Sequence, residues 1–439
     1  MLAALPKLLS AGSILLVAAS ADDWSQYMGP HRDGRWEETG IVEDFPAEGL
    51  KVKWRVPVDW GYAGPAVSEG RVFVMDYKVT SGRSQNNPGA RDQLQGQEAL
   101  KCFDTKTGKP IWTYHYDREY NLSFAGGPRC TPCVDEGRVY AIGAEGDLLC
   151  LDVEDGQLLW RVDFKQDFGA EIPIWGSASH PMVVGDRLFC IVGGKDSVVV
   201  AFDKGTGEVI WKSLSAREPG YCPPALIEQG GKTRLVVWHA EAVVALDPQD
   251  GHKVWSIPLK PDYGMSIAAP QQAGNRLLAA GYGVSGLITL GQDGNSAELE
   301  WRGTARTSFQ CGTATPIIDG DVAYGCDVNT GLLMGIRLSD GERLWETRKP
   351  TNGGDRRERY ATAFIVKNGD RYFLFNEKGD LILADLSEEG YEERGRFHVL
   401  EPTNKAFGRA VVWSHPAFAE RSLFARNDKE LVCVDLAEE

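Results

Sequence analysis

Apolar residues fall in short runs along this chain, and almost every run is cut by a glycine-bearing turn. Val139-Tyr140-Ala141-Ile142 is followed by a turn at Glu145-Gly146-Asp147, and Leu148-Leu149-Cys150-Leu151 resumes the apolar pattern. Runs of this length bounded by turn residues predict antiparallel strands joined in hairpins. A further element recurs after such hairpins: Asp, three residues, Gly, three residues, Trp. It stands as Asp104-TKT-Gly108-KPI-Trp112, Asp152-VED-Gly156-QLL-Trp160, Asp203-KGT-Gly207-EVI-Trp211 and Asp247-PQD-Gly251-HKV-Trp255. Arg337-LSD-Gly341-ERL-Trp345 lacks the Asp, and degenerate copies end at Trp301 and Phe397. From Trp112 onward these positions recur every 44 to 52 residues. Upstream of each unit lies a short strand start, usually with Pro. Eight are found: Gly64-Pro65, Thr131-Pro132, His180-Pro181, Pro223-Pro224, Ala269-Pro270, Thr315-Pro316, Tyr360-Ala361 and His415-Pro416.

Four antiparallel strands per repeat predict an all-β fold, an eight-bladed β-propeller formed by residues 22–439 as one domain. A solenoid is the other architecture for such a period, but four strands per unit and no capping repeat favour a ring. The Gly allows the positive φ of a tight turn, and the Asp accepts backbone N–H bonds within it. The Trp offers a flat face to the neighbouring blade and an indole N–H that needs a buried acceptor. Trp54, Trp112, Trp160, Trp211, Trp255, Trp301 and Trp345 are therefore the expected docking residues between blades. Blade eight ends at Leu431-VCVDL with no Trp strand after it. The missing strand is Lys51-VKWRV, so the N-terminal strand should pair with the last blade and close the ring, removing an open edge.

Charge changes the picture of partners. Sixty-two acidic against 47 basic residues give a net charge of −15, which repels phosphate backbones and disfavours nucleic acid. Residues 1–21 read as an export signal: Lys7, an apolar run over residues 11–19, and a small-x-small site at Ala19-Ser20-Ala21. That run is short against the ~20 residues of a membrane span. Cleavage after Ala21 would leave a soluble periplasmic or extracellular chain without stable membrane insertion. The first cysteine is Cys102, so no lipid anchor is expected at the cut.

The Asp-x-x-(Thr/Asp)-Gly-x-x-x-Trp unit resembles the repeat of pyrroloquinoline quinone (PQQ) propellers, a family of quinoprotein alcohol dehydrogenases and BamB-like propellers of outer-membrane assembly. The resemblance covers residues 50–436 and implies an eight-bladed ring. The opening Trp24-SQYMGPHRDG resembles the start of secreted propellers of that group. Its dehydrogenases hold the quinone against a disulfide between adjacent cysteines and use calcium and an Asp base. No adjacent cysteine pair occurs here. Cys130 and Cys133, on an extended strand, would sit about 10 Å apart on opposite faces, beyond the ~7 Å reach of a disulfide. There is no Cys-x-x-Cys-His for a covalent haem. The expectation is therefore no catalytic residue, no metal and no cofactor, with PQQ and calcium as the alternative. Most of the nine cysteines sit at equivalent repeat positions and read as core; Cys130, Cys222 and Cys311 begin first strands, where two of them could pair.

Binding residues of a propeller come from loops at one rim and around its axis. Tyr62, Arg129, Trp175, His180, Tyr221, Gln310, Arg359, Tyr360, Trp413 and His415 occupy the loops entering the first strands and are the candidates for a ligand-binding mouth. His180 and His415 match in position, but blades three and eight are far apart in the ring, which favours packing over a metal pair. The connection Lys78–Glu98 is long and polar, a surface loop or a lid or docking arm. The segment Gly353–Tyr360 adds Arg356, Arg357 and Arg359. The function expected is an exported, non-catalytic platform for an envelope or extracellular protein. A quinone-dependent oxidoreductase and a carbohydrate- or small-molecule-binding propeller are the alternatives.

Overall fold

Eight four-stranded antiparallel sheets make up the chain in a computed structural model that describes residues 23–304, 306–354 and 356–438. The export-signal reading of residues 1–21 lies outside the described residues. Blade two shows the unit: strands Cys133–Asp135, Arg138–Ile142, Asp147–Asp152 and Leu158–Asp163, paired in chain order. The short first strands converge on the axis, where those of blades one, two and three touch in succession. The second and third strands are almost wholly buried, because each blade covers its neighbour's faces.

The repeat residues perform the expected contacts. Asp104 Oδ1 accepts the Thr107 N–H at 2.8 Å, and Asp203 Oδ1 that of Thr206 at 2.8 Å. Each Trp docks on the turn of the next blade. Trp112 Nε1–H donates to the Val153 carbonyl at 2.9 Å, and its ring lies on Gly156. Trp54, Trp160, Trp211, Trp301 and Trp345 donate in the same way to Thr105, Lys204, Pro248, Leu338 and Ser387. Trp255 differs: its N–H reaches Gln229 Oε1 at 2.8 Å, and Gln229 Nε2 passes the contact to the carbonyls of Gly291 and Ser296 in blade five.

The ring is closed by the N-terminal strand. Val52–Pro57 pairs antiparallel with Glu430–Asp435, with Trp54 opposite Cys433 and Val56 opposite Leu431. All nine cysteines are buried and unpaired. The pairing envisaged for Cys130, Cys222 and Cys311 is absent. Cys130 Sγ instead reaches the Ser179 carbonyl at 3.3 Å, and Cys222 Sγ the Ala268 carbonyl at 3.4 Å.

The connection over residues 78–98 is corrected from a loop to a braced ribbon. Blade one's outer strands run on as Arg71–Gly82, Asp92–Asp104 and Pro110–Leu122, in register to Gly82 opposite Leu94. Glu98, wholly buried at the base of this extension, accepts the hydroxyls of Tyr116 and Tyr120 and the Ala144 N–H. Burial pushes its carboxyl above the usual range. A further hairpin, Asn404–Ala406 with Arg409–Val411, stands between blades seven and eight.

Candidate functional site

The two ends of the axis are built differently. At the end carrying the Asp-x-x-x-Gly turns, residues 23–42 fold across the ring as a plug. Trp24 exchanges backbone bonds with Val67 in blade one, and Ser25 accepts the Val134 N–H in blade two. Arg32 donates to the carbonyls of Pro181 and Pro224, which begin blades three and four. Tyr27 and Met28 pack on Ala269 of blade five, and the Tyr27 hydroxyl meets Thr315 Oγ1 of blade six at 2.7 Å. Gly34 and Trp36 bond to Lys367 of blade seven, and Glu38 accepts the Arg421 N–H of blade eight. Twenty residues thus touch every blade. Sequence reasoning missed this role, because the segment occurs once and carries no repeat.

His180 and His415 meet at the axis. Their ring centroids are 6.0 Å apart, with Tyr27 stacked on His180 at 3.8 Å and edge-on to His415 at 4.9 Å. The expectation that blades three and eight keep them apart is corrected: first strands converge, so distance around the rim does not apply at the centre. His180 Nδ1 accepts the Thr131 N–H at 2.9 Å. Burial drives both imidazoles down, His180 far below its usual range and His415 to about 3, so both stay neutral. They form the packed floor of the channel and do not line the mouth.

The opposite end is the mouth. Tyr62, Arg129, Trp175, Tyr221, Tyr360 and Trp413 line one apolar cavity of about 180 Å³, joined by Phe124 and Phe407, which the sequence did not single out. Phe407 is the tip of the extra hairpin and stacks on Tyr360 at 4.7 Å. Gln310 and Arg359 stand outside the lining. Gln310 Oε1 accepts N–H groups of Gly283 and Asn329, and Arg359 donates to the Tyr282 hydroxyl. Burial raises the Tyr62 and Tyr221 phenols, which stay protonated. The blade-one ribbon ends over this cavity. Pro88 lines it and its carbonyl accepts Trp175 Nε1–H at 3.2 Å, while Asn86 Nδ2 donates to Asn404 Oδ1 at 2.8 Å. The lid reading of residues 78–98 thus has a structural counterpart at the tip.

Calcium and a quinone fit this mouth poorly. No carboxylate or amide side chain lines the cavity, and calcium takes several oxygen ligands. Glu377, the nearest acid to Trp413, is committed to Arg409 at 2.7 Å and to Trp413 Nε1 at 3.1 Å. No cysteine lines the cavity either. Among the described residues, no group of three or more His, Cys, Asp or Glu is placed to hold a metal ion. None of the described helices is long and apolar enough to cross a membrane.

The family model described as "Outer membrane protein assembly factor BamB" matches residues 96–347 and 195–439, and the chain belongs to that family. It is 22% identical to the BamB of Shewanella oneidensis over 273 residues, 59% of this chain and 67% of that protein. It is 29% identical to the BamB of Burkholderia pseudomallei over 54% of this chain and 56% of that one. A quinoprotein ethanol dehydrogenase of Pseudomonas aeruginosa is 26% identical, but the match spans 34% of this chain and only 25% of the enzyme. In fold, the chain resembles BamB from Moraxella catarrhalis (TM-score 0.57, 15% identity, 89% of this chain and 98% of that one). It also resembles the quinohemoprotein alcohol dehydrogenase of Comamonas testosteroni (TM-score 0.62, 13% identity, 96% and 82%).

Proposed function

We propose that this member of the BamB family is an exported docking platform that holds an envelope protein at its mouth, in the assembly role that its relatives' names state. The observation that carries this reading is the mouth itself: seven aromatic side chains gather around one cavity with no carboxylate among them. Phe407 (44% exposed) and Tyr263 (72% exposed) extend this surface outward. Clustered aromatics at a concave rim are what a protein partner uses as anchors. The length matched in the BamB relatives, against a quarter of the dehydrogenase, supports the same choice.

A photo-reactive side chain at position 407, in the full chain in its own host, tests this. A crosslink to a component of outer-membrane protein assembly is the expected result, with none from a matched probe at Lys106 in an Asp-x-x-x-Gly turn of the opposite face. Crosslinking only from position 106 would move the docking face to the plugged end. Calcium-dependent, saturable binding of PQQ by calorimetry would overturn the reading in favour of the oxidoreductase.

A further inference from the structure

We infer that the mouth rim of blades six and seven is a docking arc for an acidic polypeptide segment. The inference rests on the mouth being the docking face and specifies the chemistry of what docks there. Its residues come from the loop between blade six's outer strand, Arg343–Thr347, and blade seven's first strand, Ala363–Asn368. The loop is polar but braced. The buried Thr351 hydroxyl donates to the Gly331 carbonyl at 2.5 Å, Asn352 Nδ2 to the Arg356 carbonyl at 2.8 Å, and the Tyr360 N–H to the Val328 carbonyl at 2.7 Å. On this frame Lys349, Arg356, Arg357 and Arg359 are exposed, joined by Lys378 from the adjacent turn of blade seven. Arg357 Nε–H donates to the Asn329 carbonyl at 2.7 Å, Arg359 to the Tyr282 hydroxyl and Lys378 to the Asn352 carbonyl. Arginines held by neutral oxygens occur elsewhere in this chain, as at Arg32, Arg302 and Arg426. The rim differs in gathering five exposed cations on a protein of net charge −15, none of the five in an ion pair among the described residues.

Residues 346–359 carry five basic against three acidic side chains. Nearby carboxylates are engaged: Glu358 and Glu377 face Arg409, Asp380 faces Arg396 and His398, and Asp327 accepts N–H groups of Gln310, Asn329 and Thr330. The opposite end of the same two blades has the reverse sign. There Asp340 and Glu342 flank Arg337, and Glu388 and Glu389 form the blade-seven turn, all four acids exposed. The cations are anchored on different blades, Arg359 to a turn of blade five, Arg357 to one of blade six and Lys378 on blade seven. They form a row and not the converging cage that a single phosphate needs. A row of cations matches carboxylates spaced along a chain. A flat anionic membrane would also meet Glu241 and Asp262, exposed on the same rim at blades four and five, whereas a narrow chain follows the arc alone. The arc runs into the aromatic mouth: the Arg359 guanidinium lies over the Tyr360 ring at 5.8 Å, and Tyr360 stacks on Phe407 at 4.7 Å. An acidic segment next to an aromatic anchor therefore fits both.

Fluorescence anisotropy of the full chain with labelled peptides tests this: one rich in Glu around a central Phe, one with Gln in place of Glu and one with Lys. The Glu peptide should bind saturably, the Gln peptide about tenfold or more weakly, and the Lys peptide not at all. Raising salt from ~0.05 to ~0.5 M should weaken the Glu peptide about tenfold or more. Arg356→Gln with Arg357→Gln should cut its affinity about tenfold at unchanged Tm, since both side chains are exposed. Arg337→Glu, at the opposite end, should leave that affinity unchanged. Equal binding of the Glu and Gln peptides, an equal loss in Arg337→Glu, or no binding of the Glu peptide at ~1 mM overturns the proposal. So does retention on phosphatidylglycerol vesicles without peptide binding, which would make the rim a membrane contact. If the Glu peptide fails while the crosslink from position 407 forms, the arc falls and the docking reading stands. If it binds through Arg356 and Arg357 and no crosslink forms, the arc stands alone.

Discussion

Gly156 and Gly137 share a left-handed backbone, with φ of +73° and +74°, but differ in surroundings. A Cβ on Gly156 would lie 2.6 Å from the Trp112 ring, whereas one on Gly137 would meet nothing within 4 Å. Alanine at Gly137 should therefore cost about 1 kcal/mol of backbone strain. Alanine at Gly156 adds a displaced Trp and should cost about 3 kcal/mol or more, read as a difference in urea midpoint. Equal losses would show that the Trp yields freely. The Asp, Gly and Trp of the repeat were legible in sequence because each acts within one turn or on the adjacent blade, and recurs. Phe407 was not, since a single aromatic in a unique hairpin has no counterpart to compare. His415 carries a second residue-scale prediction. Unfolded, it takes up a proton near pH 6.5; folded, it does so only near pH 3, because burial disfavours the cation. The unfolded state therefore binds more protons between those values, and stability falls as pH drops through that window. His415→Phe, packed against Phe364 and Tyr27, should flatten the decline by a few kcal/mol between pH 6.5 and 4 while changing little at pH 8. An unchanged slope in thermal melts across that range would count against the buried neutral imidazole.

Six of the seven docking tryptophans follow one rule, and Trp255 is the exception. The Trp N–H finds a backbone carbonyl in the next blade's turn, even where that turn begins at Arg337 instead of Asp; at the Gly291–Ser296 turn of blade five Gln229 spans the gap with three hydrogen bonds. Gln229→Leu keeps the volume but strands the Trp255 N–H and two carbonyls, so it should destabilise by about 2–4 kcal/mol in chemical denaturation. A loss below about 0.5 kcal/mol would mean water replaces the relay. The degenerate spelling near Trp301 signalled an altered turn but not the glutamine that serves it, which lies a whole blade upstream. The ribbon was hidden for another reason. Residues 92–98 alternate as Asp, Gln, Leu, Gln, Gly, Gln, Glu, and strands with polar residues on both faces resemble loops in a hydropathy pattern. Its tip contributes cover to the mouth and little to the core. Replacing residues 83–91 by Asn-Gly should leave the melting temperature within about 2 °C. It should also free the Trp175 indole from Pro88 and shift its fluorescence to the red; a sharp loss of stability would instead make the tip part of the scaffold.

Closure and plugging together decide how the ring behaves as one body. The pairing of Val52–Pro57 with the last blade was readable, because one blade lacked a strand and one strand lacked a blade. The plug was not, because its contacts run to eight blades across up to several hundred residues and obey no period. It buries Trp24, Trp36 and Ile41, each at most 3% exposed, and sets Tyr27 between the two axial histidines. The two devices make different demands. The closing strand completes a sheet, so losing it opens an edge and unpairs Trp54 from the blade-one turn. The plug fills a channel already bounded by eight complete sheets, so losing it removes packing and a few isolated backbone bridges but no strand of any four-stranded sheet. A chain without residues 23–42 should therefore keep its far-ultraviolet circular dichroism and melt at least about 10 °C lower, since several large buried side chains are removed from the axis at once. A chain beginning after Pro57 should give no cooperative transition. If removing the plug alone abolished the cooperative transition, the axis and not the closing strand would be what holds the blades in register.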